Sequence, residues 1–417
     1  MSQHPSSETA PAAAPTTDSR MSSGARSTLI GAMFLMATSA IGPGFITQTT
    51  AFTVQLGAAF AFAIAVSIVV DIALQANVWR VIGVSGRRAQ ELGNLVLPGL
   101  GVAMAALLLA GGLVFNIGNI SGAGLGTDAM LGLDPKLGGA LSAAIAIGIF
   151  LSRRAGVAMD RIVVVLGAVM ILLTSYIAIT SGPPVGRALR NVVLPEQVSF
   201  LAITTLIGGT IGGYIVYAGA HRLLDSGVTG PRNVREITRA SVIGIVITGV
   251  MRVVLFLAIL GVVAGGAQLD ETNQAASAFG QAAGEVGMRV FGIVLWAASI
   301  TSVIGASYTT VSFLTSRTRT SERTRVALVC GFIAVTTLAF VFVGTAPATL
   351  LVFAGAFNGL LLPFGIGVVL WVATRRADLL EGYRYPRWLL GLGWAAWLLT
   401  VYLAVNSVRP ALELFAG

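Results

Sequence analysis

Residues 39–50 read Ser-Ala-Ile-Gly-Pro-Gly-Phe-Ile-Thr-Gln-Thr-Thr, and this stretch decides the fold. Gly42-Pro43-Gly44 lies about midway along an otherwise apolar run. Proline removes a backbone donor and clashes with the preceding turn, while the flanking glycines let the chain unwind. Irregular backbone is tolerated at membrane depth only where it lines a cavity or is covered by protein. The stretch therefore predicts a membrane helix that is broken near its middle.

A second stretch of the same kind lies far along the chain, where residues 206–214 read Leu-Ile-Gly-Gly-Thr-Ile-Gly-Gly-Tyr. The two stretches fall in the first and the sixth apolar spans. Either stretch alone is equally consistent with close-packing glycines or a simple proline kink. Breaks in matching spans, five spans apart, are typical of transporters built from two inverted five-helix repeats.

The composition excludes a water-soluble fold. Of 417 residues, 55% are hydrophobic and only 10% are charged, and the mean hydropathy is +0.86. Soluble domains carry about 25% charged residues. The 51 glycines are mixed with aliphatic residues, as in closely packed membrane helices. Cys330, the single cysteine, excludes a disulfide within the chain and any thiol cluster for metal.

Eleven apolar spans follow a polar tail, residues 1–26, which we predict to be disordered and cytoplasmic. Residues 27–417 form the predicted transmembrane transporter domain. The predicted spans are Ser27 to Phe52, Gly57 to Ile82, Leu95 to Gly124, Leu137 to Leu151, Ile162 to Ser181, Phe200 to His221, Ser241 to Gly265, Gly287 to Ser316, Val326 to Val343, Leu350 to Thr374 and Trp388 to Val408.

The basic residues indicate the orientation. Arginines cluster in alternate connections, at residues 87–88, 153–154, 232–239, 317–325 and 375–387, and few lie in the other connections. Such a bias marks the cytoplasmic side. We therefore predict a multi-pass plasma (inner) membrane protein with a cytoplasmic N-terminus and an external C-terminus. The formal net charge of +9 does not indicate nucleic-acid binding, because these residues lie between spans.

The sequence resembles the NRAMP family of divalent-metal transporters over nearly its whole membrane region. The similar segments are Gly31-Ala32-Met33-Phe34-Leu35, Ile41-Gly42-Pro43-Gly44-Phe45, Leu206 to Tyr214, Phe291-Gly292-Ile293 and Leu362-Pro363-Phe364. The resemblance implies an all-α integral membrane protein with the LeuT-type fold. That fold has about eleven transmembrane helices, as inverted five-helix repeats with broken helices 1 and 6, plus helix 11.

This chain differs from the family at the positions that hold the family's metal ion. In the family, an Asp and an Asn of the first motif and a Met of the sixth helix hold the ion, whereas this chain has Gly42, Phe45 and Gly212 there. The family's third helix carries an Asp-x-x-Glu pair associated with proton movement. Here that spacing reads Asn116 to Asn119, and amides do not titrate. We therefore expect no metal site and no cofactor.

The expected substrate site lies at the two breaks. A half-helix that begins after Gly44 presents its positive end to an anion, and glycines in place of large ligands leave room for a small molecule between aromatic walls. Thr47, Thr50 and Thr53 share one helical face, where they either line this cavity or bond back to carbonyls. The predicted substrate-binding residues are Gly42, Pro43, Gly44, Phe45, Thr47, Gln48, Asn116, Asn119, Gly212, Gly213 and Tyr214.

Three ionisable residues lie within or beside the spans. Asp71 and Arg252 are near mid-depth, where charges are normally paired or functional. They form either a structural ion pair or part of the gating or ion-coupling machinery. His221, at the cytoplasmic end of the sixth span, is a third candidate for coupling or gating.

These features predict a secondary active transporter, not an enzyme, that works by alternating access on a small organic acid or amide of 5-oxoproline or amino-acid size. One alternative is a transporter of a divalent cation of the Mg²⁺ or Mn²⁺ type with an atypical site. A second is a membrane sensor that does not transport. The coupling ion, H⁺ or Na⁺, and the oligomeric state stay open; the expected partners are the substrate and the lipid bilayer.

Overall fold

A computed structural model of the chain describes residues 41–225, 227–315 and 320–416. Throughout these ranges the secondary structure is helical, with no strand. The predicted all-α fold is therefore confirmed. The polar tail and the first part of the first predicted span, residues 1–40, lie outside the described residues.

Fourteen α-helices form the described part of the chain. They are α1 Pro43–Leu56, α2 Phe60–Ser85, α3 Ala89–Val96, α4 Leu100–Leu131, α5 Pro135–Leu151, α6 Arg153–Thr180, α7 Val185–Val193, α8 Phe200–Ile211, α9 Ile215–Asp225, α10 Val234–Ala264, α11 Gln274–Leu314, α12 Glu322–Phe342, α13 Pro347–Arg375 and α14 Arg387–Ala416.

Each predicted span from the second to the eleventh coincides with one helix or, for the sixth, with the pair α8 and α9. By length and hydropathy, eight segments of the described chain are able to cross a membrane, and a ninth is the pair Val165–Thr180 and Val185–Val193, bent by 102°. This count takes Pro43–Ser85 as one segment and leaves out Pro135–Leu151, which is too short to be counted as a membrane span. The exact number of eleven therefore stays a prediction.

The eighth span is longer than the sequence suggested. Helix α11 begins at Gln274, well before the expected Gly287. Its backbone departs from helical geometry at Gly284, where φ is +67°. Two helical segments thus join at this glycine, which tolerates a φ that other residues rarely adopt.

The sixth span is broken where its glycines predict. Helix α8 ends at Ile211, Gly212 is extended with ψ of 163°, and Gly213 has φ of +55°. The helix restarts after Tyr214, whose carbonyl accepts the Ala218 N–H at 3.0 Å. The two half-helices α8 and α9 are therefore separate elements, and the predicted break is confirmed.

The described half of the first span begins at the predicted break. Gly42 is extended, and Pro43 occupies the first position of α1, where its missing N–H removes no helical hydrogen bond. No side chain caps this end of the helix. The first turn of α1 therefore keeps backbone N–H groups that have no intrahelical acceptor.

Glycines bring the broken sixth span against α13. A Cβ added at Gly208 would overlap the carbonyl oxygen of Gly355 and the backbone of Gly359, and a Cβ at Gly359 would overlap the carbonyl of Thr204. The two backbones therefore touch directly. On the other side, Trp79 of α2 is buried and donates its indole N–H to the Val216 carbonyl of α9 at 3.0 Å. These contacts hold both halves of the break in the interior.

Candidate functional site

Gln48 joins the first and sixth spans to α13. Its side chain is fully buried, and Nε2 donates to the Leu351 carbonyl at 2.9 Å. The amide lies against Gly209 of α8 and Gly355 of α13, where an added Cβ would overlap it. Its Oε1 has no hydrogen-bond partner within the described residues. Gln48 thus supplies an unused acceptor one turn after the start of α1.

The threonines of α1 divide into two groups. Thr50 donates to the Ile46 carbonyl at 3.0 Å, and Thr53 donates to the Thr49 carbonyl at 2.6 Å. Both hydroxyls bond back to carbonyls of their own helix, which was the alternative to lining a cavity. Thr47 is also buried, but its hydroxyl makes no hydrogen bond to any described residue. Thr47 is therefore the member of this face that keeps a free donor.

Two amides of α4 face different neighbours. Asn116 donates from Nδ2 to the Thr336 hydroxyl of α12 at 2.8 Å, and its Oδ1 has no partner in the described part of the chain. Asn119 lies beside Tyr214, the last residue of the break, and its Nδ2 has no hydrogen-bond partner among the described residues. The Tyr214 ring also packs edge-on against Phe115, with 5.9 Å between the ring centres. Helix α4 thus holds the break on one side.

Asn358 of α13 is a residue of this region that the sequence analysis missed. It is fully buried and donates from Nδ2 to the carbonyls of Gly111 at 3.1 Å and Ala354 at 2.9 Å. Its Oδ1 faces Gly213 and has no partner among the described residues. The signal was available, because an amide inside an apolar span is the same feature that singled out Asn116.

The glycines around the breaks pack closely against their neighbours, and the expected cavity between glycines and aromatic walls stays a prediction. Gln48 fills the space beside Gly44 and Gly209, and Gly212 packs against the carbonyl of Gly208. Phe45 and Tyr214 belong to different hydrophobic clusters, so they do not face each other. The space that glycine leaves at Gly44 and Gly209 is thus filled by the neighbouring Gln48 side chain.

An open cleft does reach the break from one side. Its cavity volume is about 20 Å³, which is room for about one water molecule, and Gly213 lies on its wall. The other lining residues are mostly apolar: Met104, Leu107, Leu108, Tyr217, Leu361, Leu362, Phe364 and Gly365. Of the predicted substrate-binding residues, Gly213 is therefore the one that lines this cleft.

We expect Gly213→Ala to destabilise the protein more than Gly182→Ala. Both glycines have positive φ, +55° and +61°, which costs an alanine roughly 1–2 kcal/mol. A Cβ at Gly213 would also overlap Asn358 Oδ1, whereas one at Gly182 meets nothing within 4 Å. Thermal unfolding of the purified variants measures the difference. Equal losses of stability in the two variants would show that the Asn358 side chain moves aside without destabilising the protein.

The two intramembrane charges lie close to one hydroxyl. Arg252 Nη1 donates to Thr210 Oγ1 at 2.9 Å, and the Thr210 hydroxyl donates its own proton to the Leu206 carbonyl at 2.8 Å. Asp71 and Arg252 interact electrostatically, but within the described residues they do not form a direct ion pair. The Arg252 guanidinium stacks over Phe45, 4.5 Å from the ring centre. The simple pair considered from sequence is thus a network that spans α1, α2, α8 and α10.

His221 lies among aromatic rings at the far end of α9. Its ring stacks on Tyr217 with 6.0 Å between centres and lies 5.2 Å from Phe313 of α11. The side chain is buried, and Nε2 has no partner among the residues described. A role for His221 in gating stays a prediction.

Metal-ligating side chains do not cluster in this interior. Among the described residues there is no group of three or more His, Cys, Asp or Glu that would hold an ion. The groups around the breaks are amides, hydroxyls, backbone N–H groups, the Arg252 guanidinium and the Asp71 carboxylate. Such a set suits hydrogen bonding to a polar or anionic molecule.

The chain is similar to a known protein family along nearly its whole length. The profile of the natural resistance-associated macrophage protein-like (Nramp) family matches residues 33–409. The chain belongs to the Nramp family. Nramp members are transporters, so this chain is a membrane transporter and not an enzyme.

Two relatives align along nearly the full length of this Nramp chain. The uncharacterized membrane protein YcsG of Bacillus subtilis is 52% identical over 385 residues, which cover 92% of this chain and 94% of that protein. An uncharacterized membrane protein of Haemophilus influenzae is 48% identical over 388 residues, covering 93% and 96%. Both support a multi-pass membrane protein.

Solved structures share the fold at low sequence identity. A manganese transporter of Eremococcus coleocola, in complex with an aromatic bis-isothiourea compound, has a TM-score of 0.76 at 18% identity and covers 95% of this Nramp chain and 90% of its own. MhsT in complex with L-phenylalanine has a TM-score of 0.62 at 13% identity, covering 92% and 98%. The LeuT-type architecture implied by the sequence is confirmed.

Proposed function

We propose that this Nramp-family protein is a secondary active transporter of a small organic acid or amide, of 5-oxoproline or amino-acid size. The observation that carries the proposal is the chemistry around the two breaks. Arg252, Gln48, Asn116 and Asn358 all have unpartnered polar atoms among the described residues, and Arg252 is the one cation among them. These groups complement a carboxylate or an amide.

The broken helices support an anionic group in the substrate. Helix α1 begins at Pro43 without a side-chain cap, so its positive end is available to a negative charge. In transporters of this architecture, half-helix ends of this kind hold substrate carboxylates. MhsT, which shares the fold, binds L-phenylalanine. An amino-acid-sized substrate is therefore compatible with the scaffold.

A divalent cation is the alternative substrate. Gln48 Oε1, Asn116 Oδ1 and Asn358 Oδ1 are three amide oxygens without hydrogen-bond partners in the described chain, and Mg²⁺ accepts such ligands through its water shell. Structural relatives include a manganese transporter. The alternative is weaker because these three amide oxygens are neutral and the buried Asp71 carboxylate already interacts with the positive charge of Arg252.

We further propose that the protein lies in the plasma (inner) membrane with a cytoplasmic N-terminus. The arginine clusters in alternate connections support this orientation. The substrate moves by alternating access, coupled to H⁺ or Na⁺. A sensor that does not transport is the remaining alternative, and measured uptake separates it from a carrier.

Proteoliposomes containing the purified protein are expected to accumulate radiolabelled 5-oxoproline or amino acids above protein-free liposomes. Because the proposed site favours carboxylates, Mn²⁺ and Mg²⁺ should not compete. The assay compares imposed H⁺ and Na⁺ gradients, which also identifies the coupling ion. Liposomes that take up Mn²⁺ or Mg²⁺ but none of the organic acids would contradict the proposal and support the cation alternative.

A further inference from the structure

Arg252 has an unused edge in the protein interior. Its side chain is only 2% exposed, and its Nη1 donates to Thr210 at 2.9 Å. Nε and Nη2 have no hydrogen-bond partner among the described residues. A buried cation is costly unless its donors are satisfied. This guanidinium is therefore fixed at one corner, and among residues 41–225, 227–315 and 320–416 its other two donors have no acceptor.

The two unpaired donors lie on the same edge of the guanidinium. In the planar fork of an arginine, the Nε–H and one Nη2–H point in parallel directions, and this edge matches the two oxygens of a carboxylate. The bond to Thr210 uses the other terminal nitrogen. Thr210 thus orients the fork and leaves the two-donor edge free.

The position of this edge is next to the start of α1. The guanidinium lies 4.5 Å from the ring centre of Phe45, the third residue of that helix. Thr210 is the last residue but one of α8. Arg252 therefore lies where the beginning of one half-helix approaches the end of the other, which is the region where the substrate is proposed to bind.

Asp71 does not occupy the free edge. It is buried and interacts electrostatically with Arg252, but it makes no hydrogen bond to Nε or Nη2, and Asp71 Oδ1 has no partner within the described residues. The Asp71 carboxylate thus balances the charge of Arg252 without bonding to its Nε and Nη2 donors. A second carboxylate is able to bind there.

We infer that Arg252 is the residue that binds the substrate's carboxylate, through its Nε and Nη2 edge. The first turn of α1 lies beside the same group, and Thr210 holds the guanidinium in place. The inference rests on the proposed function and makes it more specific: the substrate carries a free carboxylate, and a neutral analogue of the same shape is rejected.

The test measures thermal stabilisation of the detergent-purified protein by matched pairs of compounds: 5-oxoproline, L-alanine and L-phenylalanine, each beside its primary amide. A ligand that binds only the folded state raises the unfolding midpoint. At least one acid is expected to stabilise the wild type, with an affinity about 10-fold or more above that of its amide.

Two variants test the residue itself. Arg252→Lys keeps the charge but loses the two-donor edge, so the affinity for the acid should fall about 10- to 100-fold. Asp71→Asn/Arg252→Gln removes both charges together and should abolish the acid preference. Arg80→Lys is the matched control, because Arg80 is also buried but its Nε and Nη2 already bond Thr238; its affinity should be unchanged.

An acid that stabilises the wild type and Arg252→Lys equally would overturn the inference and leave the proposed function standing. Equal affinity of the wild type for an acid and its amide would likewise overturn the inference and leave the proposed function standing. This comparison does not require any variant to fold. Stabilisation by Mn²⁺ or Mg²⁺ and by none of the acids would instead overturn the proposed function, and the inference with it.

Discussion

Gly208→Leu is expected to prevent the protein from folding stably. Gly208 lies where α8 crosses α13, and a side chain there would overlap the backbone of Gly355 and Gly359. Backbone atoms cannot move aside as a flexible side chain does, so the two helices would have to separate. Overpacking of this kind costs about 3 kcal/mol or more. The yield of monodisperse protein in detergent and its thermal midpoint measure the loss.

Gly331→Leu is the matched control for this substitution. Gly331 also lies inside a helix, α12, but a Cβ there meets nothing within 4 Å. The same added side chain should therefore leave the thermal midpoint nearly unchanged. If both variants unfold at the wild-type temperature, α8 and α13 do not touch through their backbones.

Removing either the Asp71 or the Arg252 charge alone is expected to destabilise the protein as much as Gly208→Leu does. Both side chains are buried, at 1% and 2% exposure. Asp71→Asn leaves the guanidinium without its countercharge, and Arg252→Gln leaves the carboxylate alone. A buried charge that loses its partner costs about 3–5 kcal/mol. The double variant removes both charges and should recover most of the loss, because no isolated charge remains.

A double-mutant cycle on purified protein measures this coupling. The matched control is the exposed pair Arg187 and Glu196, whose bidentate bonds are 3.0 and 2.6 Å long. Screening by water makes such pairs weak, so the same cycle should show no measurable coupling there. Additive losses for Asp71→Asn and Arg252→Gln would mean that the two buried charges act independently.

Much of the fold followed from local chemistry. The glycines of residues 206–214 predicted a break within that stretch, and the structure places φ of +55° at Gly213. Span positions followed from hydropathy, because the bilayer sets their length. The half-helix was expected to begin after Gly44, and it begins at Pro43, whose missing N–H suits the first helical position.

The site was less predictable, because it depends on residues that are distant in sequence. The glycines suggested an open cavity, but which side chain fills the room is decided by packing between helices, and Gln48 reaches Gly209 and Gly355. Thr210 gave no sign that it accepts a hydrogen bond from Arg252, since any threonine in a membrane helix is able to bond back to its own turn, as Thr210 also does. Asn358 carried a usable signal that was overlooked.

The packing of Gln48 also bears on how α1 can move. Where Gln48 lies against Gly209 and Gly355, neither glycine offers a side chain for it to interlock with, and its one direct bond across the interface goes to the Leu351 carbonyl. Withdrawing Gln48 from this crossing would therefore break a single described hydrogen bond and displace no side chain of Gly209 or Gly355. Gln48 is thus a point at which α1 can separate from α8 and α13 with little local rearrangement.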